Sequence, residues 1–308
     1  MKLLVTGAWN CSETQLDEIR RLGHEIVFMQ QEKDDLPCDY GSVEGVICNG
    51  LFLYHYIAKF TGLRFIQLTS AGYDRVPMDY VLSHGIKIYN ARGVYSKPMA
   101  EFALSGVLQL YKQSKFFNEN QKLRKWEKKR DLLELGGKTV LIVGCGSVGT
   151  ECAKRFKAFD CNVIGVDIKP YESEVFEKIS GLSDLDIWLS DADVVVLTLP
   201  LTDETRRLFN ANRFERMKTG AVLVNIARGA VVDENALINA LEDKLFGAAL
   251  DVFEEEPLSE KSLLWDKENV ILTPHNSFVG DGNNERLYEV IVKNLLEGQN
   301  DKRDSGEQ

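Results

Sequence analysis

The chain has 308 residues, of which 44% are hydrophobic and 27% charged, a balance typical of a soluble globular protein with room for one or two domains. Its formal net charge of −10 argues against a nucleic-acid-binding protein, because surfaces that bind phosphate backbones are generally basic. No run of about 18 apolar residues occurs and the N-terminus has no signal-peptide pattern, so we expect a cytoplasmic protein without a membrane span.

The first third of the chain alternates between short apolar runs and helical patterns. Predicted helical segments are Glu13–Leu22 and Tyr54–Phe60. Predicted strands are Lys2–Thr6, Glu25–Met29, Val43–Asn49, Leu63–Thr69 and Gly85–Tyr89. Because strands that alternate with helices need crossover connections, this section resembles a small doubly wound unit with a parallel sheet.

The segment Ser70–Asp74 follows the fourth of these strands. Gly72 permits a tight backbone at the carboxyl end of a strand, where open α/β sheets bind ligands, and N–H groups exposed there suit a carboxylate. A plain turn explains the same residues, and both interpretations stay open.

A long, mainly apolar helix is predicted over Lys97–Tyr111, where we expect the chain to cross into a second domain and to contribute to a subunit interface. Residues 113–136 are interpreted as a polar connector. Its basic stretch, residues 122–130 around Trp126, is interpreted as a solvated connector and not as a binding site.

The stretch Lys138–Gly149 reads KTVLIVGCGSVG, which predicts a strand, a tight glycine turn and a helix. Gly144 lets the chain leave the strand, Gly146 lets backbone approach a pyrophosphate, and Gly149 lets the helix lie close to the strand. The helix N-terminus offers N–H groups and the positive end of its dipole to phosphates.

A second apolar strand, Asn162–Val166, ends in Asp167, about where a ribose-binding acid belongs. A carboxylate there accepts hydrogen bonds from ribose hydroxyls and repels a 2′-phosphate, which favours NAD over NADP. Lys169 would soften that repulsion. The alternative is that Asp167 only caps a turn between strand and helix.

The α/β pattern continues to the end of the chain. Helices are expected at Arg213–Met217, Glu234–Glu242 and Asp281–Leu296, and a disordered tail from Gly298 to Gln308. Strands are expected at Asp193–Leu199, Ala221–Asn225, Gly247–Val252 and Val270–Leu272. The six cysteines form no C-x-x-C pair, which favours reduced thiols and no metal site.

Three side chains with catalytic potential follow strands of this second section: Arg228, Glu256 and His275. Since parallel strands end at one edge of a sheet, all three can converge beside a dinucleotide. Arg228 can pair bidentately with a substrate carboxylate. His275, oriented by Glu256, could protonate an alkoxide, a contribution typically worth about 10² to 10⁴ in rate.

Together these motifs resemble those of the D-isomer-specific 2-hydroxyacid dehydrogenases. The resemblance runs from about residue 65 to 280, in the family's order. The segments that carry it are SAGYD from Ser70, VYS from Val94 with Ala100-Glu101, GCGSVG, NIARG from Asn225, LDVFEEEP from Leu250, and TPH from Thr273.

The resemblance implies a role for each matching residue. Arg228, Glu256 and His275 match the substrate-binding arginine, the assisting glutamate and the acid/base histidine. Ala71 and Gly72 match a backbone cradle for the substrate carboxylate, Tyr95 matches an active-site tyrosine of some members, and Asp251 an aspartate near the nicotinamide. The predicted cofactor contacts are Gly144, Gly146, Ser147, Val148, Gly149, Asp167, Pro200, Thr205, Ile226, Ala227, Arg228, Asp251, His275 and Ser277.

The family's architecture implies a fold of two doubly wound parallel-sheet α/β domains. A Rossmann cofactor domain, residues 97–282, is inserted into a flavodoxin-like substrate domain formed by residues 1–96 and 283–308. Family members are commonly homodimers built around the crossing helix, so a homodimer is expected.

The sequence thus predicts reversible hydride transfer between NADH and a small 2-oxo acid, which gives a D-2-hydroxy acid. The alternative is a nucleotide-sensing binding protein, similar to a corepressor, that uses the same fold without turnover. The intact trio favours the enzyme.

Overall fold

The computed structural model describes the backbone of residues 1–304 and the side chains of residues 1–297. The chain divides into two compact units. One contains residues 1–95 and the chain from Gly280 onward, and the other contains residues 96–279.

The first unit contains a five-stranded parallel sheet. Its strands are β1 (Lys2–Thr6), β2 (Glu25–Met29), β3 (Gly45–Cys48), β4 (Phe65–Leu68) and β5 (Lys87–Tyr89), in the order β2-β1-β3-β4-β5. That order is the flavodoxin-like one. Two helices, α1 (Glu13–Arg21) and α2 (Met78–Ser83), lie between strands.

Both faces of this sheet are apolar because successive side chains of a strand point to opposite faces. On β1, Leu4 packs in one core with Ile66, whereas Leu3 and Val5 pack in a second core with Ile19 of α1. This explains why the strands read as continuous apolar runs.

The second unit contains a seven-stranded parallel sheet. The strands are β6 (Thr139–Val143), β7 (Asn162–Asp167), β8 (Lys178–Gly181), β9 (Val194–Leu197), β10 (Ala221–Asn225), β11 (Leu245–Leu250) and β12 (Val270–Leu272), in the order β12-β11-β10-β9-β6-β7-β8. This order confirms the Rossmann prediction, since strands 3-2-1-4-5-6 of that fold correspond to β8-β7-β6-β9-β10-β11.

Helices cover both faces of this sheet. They are α3 (Ser96–Tyr111), α4 (Ser114–Lys122), α5 (Ser147–Lys157), α6 (Leu185–Leu189), α7 (Ala211–Arg216) and α8 (Glu234–Asp243). Leu141 and Val143 of β6 face one core, while Val140 and Ile142 face the other, with Phe156 of α5. Helix α3 approaches β11 closely, since a Cβ on Gly106 would lie 2.6 Å from the Cβ of Ala249.

The last helix, α9 (Asn283–Asp304), belongs to the first unit. Its Leu287, Ile291 and Leu295 join the core on the Leu3 side of the sheet. The buried amide of Asn294 donates a hydrogen bond to Oε1 of Gln67, at 2.7 Å. None of the helices within residues 1–304 is long and apolar enough to span a bilayer.

Several element predictions were wrong. The expected connector 113–136 contains α4, whose only buried residue is Asn120. The helix was not predicted because it has no buried apolar stripe. The stretch Tyr54–Phe60, expected to be helical, contributes one 3₁₀ turn at Ile57–Lys59, and another lies before it at Leu51–Leu53. The short elements α2, β8 and α6 were not predicted.

The final helix is longer than predicted. It continues to Asp304, so the expected disordered tail from Gly298 is helical over its first seven residues. Residues 305–308, the rest of that tail, lie outside the described part of the chain.

Candidate active site

The glycine turn joins β6 to α5. Gly144 has φ +100°, a left-handed conformation, and a Cβ there would lie 2.7 Å from the backbone nitrogen of Leu199. A Cβ on Gly149 would lie 2.1 Å from the carbonyl oxygen of Gly144, so only glycine lets α5 pack this close to the turn. A Cβ on Gly146 would meet no protein atom within 4 Å, so the space beside this residue is open to a ligand.

Helix α5 begins directly after Gly146, and no side chain caps its N-terminus. Ser147 and Val148, two of the predicted cofactor contacts, form its first turn. An N-terminus with a glycine approach and no capping side chain suits an anionic group, because N–H groups and the helix dipole both favour negative charge there. These features fit the pyrophosphate of a dinucleotide.

Asp167 is the last residue of β7, beside the glycine turn. Its Oδ2 accepts a hydrogen bond from the N–H of Cys145 at 2.7 Å, and its Oδ1 accepts one from the N–H of Lys169 at 3.0 Å. The carboxylate is therefore fixed against the turn, where a ribose next to a bound pyrophosphate would meet it. Cys145 itself is inert, since burial, with a smaller contribution from Asp167, raises the pKa of its thiol to about 12.

The loop after β9 carries Pro200 and Thr205. The buried hydroxyl of Thr205 donates to the carbonyl of Pro200 at 2.7 Å and accepts from the N–H of Thr202 at 2.7 Å. Thr198, just before this loop, donates to the carbonyl of Gly144 at 2.5 Å. These bonds fix the loop beside the glycine turn.

The loop after β10 presents Arg228. Asn225, at the end of the strand, accepts from the N–H of Ala227 at 3.1 Å and donates to the carbonyl of Arg228 at 3.1 Å. Ile226 and Ala227 are buried, whereas the Arg228 side chain is exposed and donates from Nη1 to the carbonyl of Ala227 at 2.7 Å. The Asn225 side chain thus holds the backbone of the loop that carries the arginine, at the carboxyl edge of the sheet.

Glu256 and His275 form a hydrogen-bonded pair. The Nδ1 atom of His275 lies 2.8 Å from Oε2 of Glu256, and Oε1 of Glu256 accepts from the N–H of Phe253 at 3.1 Å. The two side chains are 43% and 37% exposed, so the pair is open to a substrate. Because a carboxylate only accepts hydrogen bonds, Nδ1 carries the hydrogen.

Asp251 organises the turn that carries His275. It is fully buried, and its carboxylate accepts from the Thr273 hydroxyl at 2.6 Å, the Asn276 N–H at 2.7 Å and the Ser277 N–H at 2.9 Å. His275 itself has φ +51°, and its N–H donates to the carbonyl of Asp251 at 2.8 Å. The buried aspartate thus stabilises a backbone that non-glycine residues rarely adopt.

A close backbone contact joins the Arg228 loop to the Glu256 loop. A Cβ on Gly229 would lie 1.8 Å from the carbonyl carbon of Phe253 and 2.5 Å from the nitrogen of Glu254. Only glycine can occupy this position without moving one loop. The structure therefore brings Glu256 and His275 into contact and places the Arg228 loop against the Glu256 loop.

The predicted substrate contacts Ala71, Gly72 and Tyr95 lie in the first unit. The hydroxyl of Tyr95 donates a short hydrogen bond to the carbonyl of Thr69, and burial raises the pKa of this tyrosine. Asn90 donates to the carbonyl of Ala71 at 2.6 Å, and the Ser70 hydroxyl donates to the carbonyl of Gly72 at 3.1 Å. Their assignment to substrate binding stays a prediction.

The family motifs contain Asn225, Gly229 and Thr273, which hold the site together, but no role was predicted for these three residues. Two of them stand inside the motif NIARG, where a buried asparagine ends an otherwise apolar strand and a glycine follows the arginine. Such a polar residue at the end of a buried strand was the available signal. The contact of Gly229 with Phe253 had no signal at all, because it depends on the neighbouring loop.

Comparisons with known proteins show which family the chain belongs to. Residues 104–277 match the family profile described as "D-isomer specific 2-hydroxyacid dehydrogenase, NAD binding domain". D-3-phosphoglycerate dehydrogenase from Archaeoglobus fulgidus is 34% identical over 282 residues, which cover 89% of this chain and 53% of that protein. The chain thus spans about half the length of that relative.

Two further proteins extend the likeness. Glyoxylate reductase from Thermofilum pendens is 34% identical over 241 residues, which cover 76% of this chain and 71% of that protein. The crystal structure of D-lactate dehydrogenase from Aquifex aeolicus, complexed with NAD and lactic acid, superposes with a TM-score of 0.76 at 25% identity and covers 99% of this chain and 98% of its own. The chain therefore belongs to the D-isomer-specific 2-hydroxyacid dehydrogenases and contains the NAD-binding domain of that family.

Proposed function

We propose that this protein transfers hydride reversibly between NADH and a small 2-oxo acid to give the D-2-hydroxy acid, with His275 as the acid and base. The observation that carries the proposal is the pairing of His275 Nδ1 with Glu256 Oε2 at 2.8 Å, on an exposed edge of the nucleotide-binding sheet. A binding protein without turnover has no need of an oriented imidazole there.

The pair defines which nitrogen moves the proton. Since Nδ1–H is committed to Glu256, Nε2 is the atom that exchanges a proton with the substrate oxygen. The carboxylate accepts Nδ1–H and so fixes the ring in one orientation, in which Nε2 is the free ring nitrogen. In the reverse direction, neutral Nε2 accepts the proton of the hydroxy acid.

Arg228 supplies the charge that recognises the substrate. Its exposed guanidinium can form two parallel hydrogen bonds with a carboxylate, while its contact with the Ala227 carbonyl limits the side chain's freedom. Fixing the carboxylate next to the reacting carbonyl places that carbonyl in a defined orientation. Such positioning reduces the entropic part of the barrier.

Bound NADH supplies the hydride. Within this chain, Gly146 and the N-terminus of α5 would hold the pyrophosphate, and Asp167 would accept hydrogen bonds from the ribose. The negative charge of Asp167 disfavours the 2′-phosphate of NADPH. NAD is therefore the proposed physiological cofactor, and NADP the less favoured one.

The substrate side chain is the open part of the proposal. The relatives named above are a glyoxylate reductase, a D-lactate dehydrogenase and a D-3-phosphoglycerate dehydrogenase, which all act on small 2-oxo or 2-hydroxy acids. Binding of the substrate carboxylate by the amides near Ala71 and Gly72, with Tyr95 nearby, is proposed from the family resemblance.

The test is NADH oxidation against glyoxylate, pyruvate, hydroxypyruvate and branched and aromatic 2-oxo acids, with His275→Ala and His275→Asn beside the wild type. Asparagine tolerates the left-handed backbone at this position better than alanine does, so it separates loss of the acid from strain. We expect kcat to fall about 10² to 10⁴ fold in both variants with NADH binding retained. Near-normal turnover in either variant would exclude His275 as the acid, and tight NADH binding without activity on any acid in the wild type would favour a nucleotide sensor.

We also propose a homodimer, on the family resemblance and on the partly exposed apolar side chains of α3, which are Met99, Phe102, Leu104 and Leu108. Light scattering on the eluting protein should give twice the chain mass of 34.8 kDa. A single-chain mass at micromolar concentration contradicts the proposal.

A further inference from the structure

One peptide group beside the candidate active site is held from two sides. It joins Phe253 to Glu254 in the loop after β11. Its carbonyl packs against Gly229, where a Cβ would come within 1.9 Å of the oxygen, and its N–H donates a short hydrogen bond to Oε1 of Glu234. Glu234 is the first residue of α8, 20 residues away in sequence.

The held peptide is adjacent to the one that orients the acid/base pair. The N–H of Phe253 donates to Oε1 of Glu256 at 3.1 Å, and Oε2 of Glu256 meets His275 Nδ1 at 2.8 Å. The two peptides share the Cα atom of Phe253, so holding the second one restricts the backbone rotations that would turn the Phe253 N–H away from Glu256. Glu234 therefore lies at the start of a chain of hydrogen bonds that ends at the imidazole.

The helix does not need Glu234 for its own N-terminus. Asp233 is the N-cap of α8, and its side chain accepts the N–H of Ala236 at 3.0 Å. Glu234 instead reaches out of the helix to another loop. It does so in an acidic neighbourhood, since Glu254 and Glu255 lie close by and Arg207 is paired with Glu254 at 3.1 Å. Burial is the main cause, and these two carboxylates a further one, of the raised pKa of Glu234.

We propose that Glu234 is a positioning residue of the reaction: by accepting the N–H of Glu254 it fixes the loop that presents Glu256 to His275. The expected change in kcat rests on the proposed function. The expected change in the Glu256–His275 hydrogen bond does not, because that bond exists without substrate.

The experiment compares four variants with the wild type. Glu234→Ala and Glu234→Met remove the acceptor, Glu234→Gln keeps an oxygen that can accept the same N–H, and Asp233→Ala removes the helix N-cap without touching the loop. Thermal unfolding identifies folded variants, and if Glu234→Ala does not fold, Glu234→Met, which keeps the side-chain volume, takes its place. The readouts are kcat, the KM for NADH, and the downfield proton resonance of His275 Nδ1–H, assigned by its absence in His275→Asn.

We expect the acceptor-less variants to lose or broaden the Nδ1–H resonance and to lower kcat roughly tenfold, part of a general-acid contribution of about 10² to 10⁴. The KM for NADH should stay within about twofold, because the glycine turn is unaffected. Glu234→Gln should retain both the resonance and kcat, and Asp233→Ala should lower the melting temperature while retaining both.

Two results would overturn the inference. One is a Glu234→Ala or Glu234→Met protein that keeps the resonance and a kcat equal to that of Asp233→Ala. The other is a Glu234→Gln protein as impaired as Glu234→Ala, since an accepting oxygen would then not be the cause. The resonance can be measured without turnover. If the wild type is inactive on every 2-oxo acid, the proposed reaction is excluded, and the resonance still tests whether Glu234 positions Glu256.

Discussion

Glu256 Oε2 lies 2.8 Å from His275 Nδ1, although 19 residues separate the two in the chain. Each side chain stands on a loop that follows a different strand of one parallel sheet, β11 for Glu256 and β12 for His275. Backbone groups hold both loops: the Phe253 N–H holds the carboxylate, and the Asp251 carbonyl accepts the His275 N–H. Backbone hydrogen bonds thus hold both members of the pair at one edge of the sheet.

Glu256→Gln tests the charge of this pair. The amide keeps the size of the side chain but carries no charge, and it has one oxygen for the two N–H groups that the carboxylate accepts, His275 Nδ1–H and the Phe253 N–H. We expect kcat to fall about 10- to 100-fold, less than on loss of His275, with NADH affinity unchanged. Steady-state kinetics and NADH fluorescence titration give the two values, and an unaltered kcat would show that Glu256 only packs against the ring.

Gly146→Ala and Gly149→Ala separate binding from packing within one turn. A methyl on Gly146 meets no protein atom, so the melting temperature should not change, while blocked approach of the pyrophosphate should raise the NADH Kd at least about tenfold. A methyl on Gly149 lies 2.1 Å from the Gly144 carbonyl and should lower the free energy of unfolding by about 1–3 kcal/mol.

Gly136→Ala is the matched control, because its added Cβ would meet only the Phe159 carbonyl oxygen, at an ordinary 3.7 Å. It should alter neither quantity appreciably. Unchanged NADH affinity in Gly146→Ala would show that the dinucleotide does not bind along this turn.

Asp167→Asn tests the cofactor preference. The amide oxygen can still accept the Cys145 N–H of the glycine turn, although the Lys169 N–H loses its acceptor, and the charge that repels a 2′-phosphate is lost. We expect the ratio of NADPH to NADH Kd to move toward NADPH by about tenfold, equal to about 1.4 kcal/mol. Equal changes in both Kd values would mean that Asp167 serves the turn and not the choice of cofactor.

Asp193→Asn should make stability less dependent on pH. Burial raises the pKa of Asp193, but hydrogen bonds from Lys218 and the Thr139 N–H, with Lys138 nearby, outweigh it and leave the pKa lowered. A lowered pKa in the folded state stabilises the fold above the unfolded value of about 3.9, and this contribution is lost as the pH falls through the folded pKa.

Urea unfolding should therefore show the variant about 1–2 kcal/mol less stable than the wild type at pH 7, with the difference shrinking below about pH 4. Asp191→Asn, at a neighbouring exposed carboxylate, is the control and should show no such dependence. A constant difference at both pH values would assign the loss to packing.

Local patterns predicted the elements that are long and apolar. The strand β6 and the helix α5 were correct because a β-branched run, three glycines and a helical segment follow one another directly. The helix α4 and the strand β8 escaped prediction, since each buries only one residue and that residue is polar, Asn120 and Ser180. Their conformation depends on neighbours that a periodicity cannot reveal.

By itself the sequence determined the alternation of strands and helices, hence two parallel sheets, and it determined which residue types stand where those strands end. Those properties are local, because they depend on side-chain period, glycine spacing and strand polarity. Only the tertiary structure decided that Gly229 contacts Phe253, that buried Asp251 supports the His275 turn, and that Glu234 reaches the Glu254 N–H. Such contacts join loops far apart in the chain, and their energies depend on the distances that folding sets.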